Sequence, residues 1–124
     1  MRRLAVVLCL LGVFCMPMSA LATDKAAISS NVDSIVAMIE SGKDANAIKP
    51  DAFDPYAFIM EADGKMLVHP TLTGESLKEK APPVYTAVIQ ASPEGTWVEY
   101  EWKGKLKHTY VKTTKSNLIV GSGY

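Results

Sequence analysis

The sequence is short of the residues that usually carry chemistry. It has two cysteines, Cys9 and Cys15, both near its start. After them there is no disulfide framework, no thiol nucleophile and no thiolate metal site. Arginine stops at Arg2 and Arg3, so the rest of the chain lacks the bidentate clamp for phosphate or carboxylate. Anion recognition there falls to lysine, backbone N–H groups and hydroxyls. His69 and His108 are the only histidines. Without cysteine they make a poor ligand set, so no metal and no cofactor is expected. Neither sign of charge dominates, with 13 basic and 13 acidic residues, which argues against nucleic-acid binding driven by bulk charge.

Long apolar runs are missing too. Positions 4–15 are apolar, but Pro17 and Ser19 interrupt the run short of the about 20 residues a spanning helix needs. The basic start Met1-Arg2-Arg3, the apolar run and the small residues of Ala20-Leu21-Ala22 instead have the three-part layout of a secretory signal peptide. Residues 1–22 are therefore expected to be a cleaved signal, residues 23–124 a single domain, and the protein periplasmic or secreted. The other reading is an uncleaved anchor, the one case in which a membrane is a partner. A lipid-attachment cysteine is disfavoured, because the large residues Leu8 and Phe14 precede Cys9 and Cys15. From residue 23 onward eleven lysines face thirteen acidic residues, a net charge of −2.

What is present reads as one small globular domain: 124 residues, 48% apolar and 21% charged. Ile28, Val32, Ile35, Val36 and Ile39 fall on one face of a helix over residues 23–40. Thr23 or Asp24 is its N-cap, and Gly42 suits the position just past its end. A polar stretch follows over 43–54, with room for one more helical turn. Residues 56–62 and 65–69 read as a hairpin about Asp63-Gly64, ended by Pro70. Residues 71–83 read as loop, and 83–91 as a short helix burying Val84, Ala87 and Val88. Strands follow over 96–102, 105–113 and 118–124, joined at Lys103-Gly104 and Lys115-Ser116-Asn117. The expected fold is α+β: a five-stranded antiparallel sheet, the N-terminal helix on one face, and the loop and short helix of 71–95 on the other. A face covered by a loop is a natural place for a cavity.

The ordered set Gly42-Lys43-Asp44, Tyr56-Ala57-Phe58-Ile59, Asp63-Gly64-Lys65, His69-Pro70, Gly74 with Leu77, Gly95-Thr96-Trp97-Val98-Glu99-Tyr100, Lys107-His108-Thr109-Tyr110-Val111 and Val120-Gly121-Ser122-Gly123-Tyr124 resembles the small extracytoplasmic Cache domain in its single-domain form. The resemblance implies a PAS-like fold and a pocket over the sheet for a small ligand, often a short organic acid. The stretch 78–84 departs from the pattern, lacking the acidic and glycine-containing element expected after Leu77. The chain also stops at Tyr124, so a stand-alone module is expected.

A two-residue Lys103-Gly104 loop places Trp102 opposite Lys105, Tyr100 opposite Lys107 and Val98 opposite Thr109. Tyr100, Trp102, Lys107 and Thr109 then share one face, and Trp97, Glu99, His108 and Tyr110 the other. A lysine beside two aromatics is either a carboxylate site or a surface lysine lying across rings. The resemblance, which carries a lysine before the Tyr-Val pair, implies the first for Lys107. His69 is either a donor at the pocket rim or a histidine bonded to loop backbone. Tyr56 and Tyr124 bracket the sheet, their hydroxyls at the pocket mouth or their rings in the core. His108 is expected to pair with Glu99 on a solvated face. Gly121 and Gly123 alternate on the last strand and call for close approach by the helix or a ligand.

No catalytic constellation stands out: no serine with a base, no paired carboxylates in an apolar pattern, no phosphate loop. The chain is expected not to be an enzyme. It reads first as a binding module for a small anionic metabolite, with Lys107, Tyr100, Trp102, His69, Tyr56 and Tyr124 as ligand-binding residues. The alternative is a protein-interaction module docking on an extracytoplasmic receptor or transporter.

Overall fold

A computed structural model describes residues 24–124. The expected signal segment and both cysteines lie outside the described residues. The first helix, α1, spans Lys25–Glu40, and the Asp24 carboxylate caps it by accepting the Ala27 N–H at 3.0 Å. Ile28, Val32, Ile35 and Val36 form its buried stripe. Gly42, at φ 112°, turns the chain just past its end. The polar stretch holds two single 3-10 turns, Ala45–Ala47 and Pro50–Ala52, and buries Ile48 after the first.

Five strands follow: β1 Ala57–Glu61, β2 Met66–Val68, β3 Thr96–Trp102, β4 Lys105–Thr113 and β5 Leu118–Gly123. They form one antiparallel sheet in the order β2-β1-β5-β4-β3. Trp102 pairs with Lys105, Tyr100 with Lys107 and Val98 with Thr109, the register that a two-residue turn requires. Lys103 at φ 53° and Gly104 at φ 80° supply its left-handed pair.

Between β2 and β3 lie two short helices, α2 Leu77–Lys80 and α3 Pro82–Val88. The α2 turn corrects the reading of 71–83 as loop. The Ser76 hydroxyl accepts the Glu79 N–H and caps the turn, while Leu77 anchors it in the core. A proline at each of the first two positions of α3 sets its start, and Val84, Ala87 and Val88 are buried as expected.

The two sheet faces carry separate cores. On one, α1 packs Val32, Ile35 and Val36 against Ala57, Ile59 and Val120. On the other, α2 and α3 close Leu77, Val84, Ala87 and Val88 over Phe58, Met60, Met66, Val98, Val111 and Ile119. Gly121 is needed on this second face because a Cβ there would run into the Phe58 ring. At Gly123 a Cβ would strike the His108 carbonyl and Thr109. What approaches the glycines is thus a core phenylalanine and the neighbouring strand, rather than α1.

Candidate functional site

On the second face a hollow is bounded by Tyr56, Phe58, Met66, His69, Leu77, Val84, Val88, Tyr100 and Trp102. Its floor is apolar: Phe58 and Met66 from the sheet, Leu77, Val84 and Val88 from the two short helices. Its polar atoms sit at one end, where β2 ends, β1 begins and the β3–β4 hairpin turns. The space left is about 20 Å³, room for one water.

His69 sits at that end, 9% exposed. Pro70 stops β2 there, and the loop folds back onto the imidazole. The Thr71 and Leu72 N–H groups donate to Nδ1 at 3.0 and 3.1 Å. Thr73 Oγ1 accepts the His69 N–H at 2.9 Å and donates to its carbonyl at 2.8 Å. An Nδ1 that accepts two amides carries no proton, so the neutral ring is the Nε2–H tautomer. That N–H has no acceptor among the described residues, and the ring it belongs to lines the hollow. Burial holds the imidazole well below its ordinary pKa, at about 4, and the charges of Lys103 and Lys107 add to the effect. His69 is therefore neutral at neutral pH and offers a fixed donor.

Aromatic rings surround it. Tyr56 and Trp102 meet the imidazole edge-on, with centroids at 5.4 and 6.2 Å. The Tyr100 hydroxyl accepts a hydrogen bond from the buried Thr109 Oγ1 at 3.0 Å, which leaves its own proton to donate. Burial pushes the Tyr100 phenol up to about 12 and raises that of Tyr56. Lys107 lies across Tyr56, its Nζ 5.1 Å from the ring centroid. The amine is half-buried and makes no ion pair among the described residues. Burial lowers its pKa. Lys103 stands on the other side, its Nζ 5.8 Å from the Trp102 centroid.

The structure thus brings together Tyr56, His69, Tyr100, Trp102 and Lys107. Tyr124 is the exception and a correction. It pairs with His108 through both backbone hydrogen bonds and stacks on that imidazole at 5.0 Å, on the α1 side of the sheet. There His108 Nδ1 also meets Glu99 at 3.0 Å, as expected. The two readings of His69 turn out to be compatible: one ring nitrogen ties down the loop and the other remains as a donor. Missed in the sequence were Thr73, which fastens the His69 backbone, Lys103 as a second cation, and Phe58, Met66 and Leu77 as walls. The only signal for Thr73 was its place in the Thr71-Leu72-Thr73-Gly74 run after Pro70.

The site is a set of donors, N–H, O–H and ammonium, with no carboxylate among its members. Such a set accepts an anion and repels a cation. A roomier groove of about 380 Å³ runs beside α1, but its charges are matched: Lys112 Nζ meets Asp33 at 3.0 Å, and Glu40 accepts the Lys115 N–H at 3.0 Å. Among the described residues no three potential metal ligands cluster, and no helix is long and apolar enough to cross a membrane.

No family model matches the chain, and no curated protein matches it. Among solved structures it is similar to a methyl-accepting chemotaxis protein from Vibrio parahaemolyticus RIMD 2210633, with a TM-score of 0.54 over 81% of this chain and 86% of that one. At 17% identity the likeness is one of fold: α+β and PAS-like, with five antiparallel strands.

Proposed function

We propose that the chain is an exported Cache-like domain that binds a small carboxylate without catalysis, in the periplasm or outside the cell. The observation that carries this reading is the half-buried Lys107 amine, without an ion pair among the described residues, lying over the Tyr56 ring that in turn meets His69 at the polar end of an otherwise apolar hollow. A carboxylate there takes charge from Lys107 and hydrogen bonds from His69 and Tyr100, and sets its apolar part among Phe58, Met66, Leu77 and Val88. The fold shared with a chemotaxis protein is in keeping with a sensory, non-enzymatic role. Isothermal titration of residues 23–124 with short carboxylic acids tests it. A binder is expected, and Lys107→Met weakens it about 10- to 100-fold, the loss of one hydrogen bond to a charged group. Unchanged affinity in that variant removes Lys107 from the site.

One observation favours a second reading. The hollow is filled almost to contact, as suits a domain that docks on an extracytoplasmic receptor or transporter and binds no metabolite. Capture of one defined membrane partner, with no thermal shift from any acid tested, would select it.

A further inference from the structure

The hollow admits about one water, so a ligand of several heavy atoms enters only if a wall moves. The walls differ in how firmly they are held. Phe58 is clamped over Gly121, where no Cβ fits. Met66, Leu77, Val84 and Val88 are buried core residues packed on one another. His69 is tied by Thr71, Leu72 and Thr73, and Tyr100 is bonded to Thr109. Tyr56 makes no side-chain hydrogen bond among the described residues, but it lies between Lys107 and His69, and its carbonyl accepts the Ser122 hydroxyl at 2.8 Å.

Trp102 is held less firmly: it packs at the margin of this core and meets the His69 ring edge-on, but among the described residues nothing else fastens it on the inside. Its indole makes no hydrogen bond among the described residues, and it is only partly buried. It ends β3 beside the two-residue turn, with Lys103 over its outer side. Turning the indole outward therefore breaks no hydrogen bond among the described residues, gives up only its contacts with His69 and the core margin, and leaves the buried residues in place. It removes a large apolar wall from above the floor of the hollow.

We infer that Trp102 is the plug of this cavity and sets the length of ligand it accepts. The inference rests on the proposed binding site but concerns its size selectivity, which does not depend on the charge of the ligand. Each methylene buried adds about fourfold in affinity, so a plug shows as the chain length at which that gain stops.

The test uses two probe series on the wild-type domain and on Trp102→Ala: straight-chain acids from acetate to octanoate, and the primary alcohols with the same tails. Binding is read by saturation-transfer NMR and calorimetry. In Trp102→Ala the gain is expected to continue for two or three more carbons, so the longer members bind about 15- to 60-fold tighter than to wild type. Trp102→Phe, which keeps an aromatic ring at the position, is expected to lie between and serves if the alanine variant does not fold. Trp97→Ala, on the other face, is expected to leave the cut-off in place. A cut-off unmoved by either Trp102 variant overturns the inference, as does failure of both series to bind the opened variant. If alcohols show the shift and acids bind no better than alcohols, the plug stands and the carboxylate reading falls.

Discussion

The two faces of the sheet are built from the same five strands and do opposite things. Under α1 the contacts are aliphatic and closed, with Val32, Ile35, Ile59 and Val120 all 0% exposed. Under α2 and α3 the core is as deeply buried, with Met60, Val88 and Val111 also 0% exposed, but aromatic rings and hydrogen-bond donors gather at one end. Each face has one histidine. His108 lies on the α1 side, partly exposed, against Glu99 and Tyr124. His69 is buried, neutral and held by its own loop. The difference teaches that the site draws on two sources: a loop at a strand end places His69, and the interiors of β3 and β4 place Tyr100 and Lys107. Both faces carry a buried core, and the second also carries the donor-lined hollow.

The largest effect that would break this contrast is on the α1 side. Ile35→Ala is expected to lower the unfolding free energy by about 2–5 kcal/mol and to leave the affinity for carboxylates unchanged. Denaturant melts with parallel titrations check both. A loss of affinity would mean that the faces are coupled. Next comes Gly121→Ala on the cavity side, where the new methyl displaces the Phe58 ring. Here stability falls by about 1–3 kcal/mol and binding changes with it, because Phe58 is a wall of the site.

Acid sharpens the contrast further. The folded state holds His69 at about 4, whereas the unfolded chain titrates near 6.5. Between those values the unfolded state binds the extra proton, so stability falls as pH drops from about 6.5 and levels off below about 4. The full shift is worth about 3 kcal/mol, and solvent screening at the cavity mouth brings the expected loss to about 1–2 kcal/mol. His69→Asn, whose carbonyl still accepts the Thr71 and Leu72 amides, should lose that much less between pH 7 and pH 4 than wild type in urea titrations. The smallest effect is expected from Lys107→Met on stability. It removes a half-buried amine that makes no ion pair among the described residues, so the melting temperature should hold or rise slightly even as affinity for acids falls.

Most of the scaffold was legible in the residues. The stripe from Ile28 to Val36 placed α1. Lys103-Gly104 fixed the β3–β4 register and, with it, which side of the sheet carries Tyr100, Trp102 and Lys107. Tyr124 was misplaced because no such two-residue turn sets the β4–β5 pairing. There the turn at Lys115-Ser116-Asn117 is knitted by Thr114, whose Oγ1 accepts the Ser116 and Leu118 amides, and the side on which the last residue falls follows from that pairing. The α2 turn was hidden because a four-residue helix has no period to read, only its Ser76 cap. The tightness of the hollow was beyond pattern altogether. It depends on how Phe58 settles over Gly121 and how far Trp102 leans toward His69, distances that only the folded chain defines.

The central claim is that the donors around His69, and not the opposite face, receive the anion. Proton-detected ¹⁵N NMR of the two imidazoles during titration with propionate at pH 7 tests it most directly. A neutral Nε2–H form is expected for His69 in the free protein, with its ring resonances moving on addition of the acid while those of His108 stay in place. Resonances that move at His108 and not at His69, or at neither ring up to saturating propionate, would contradict it.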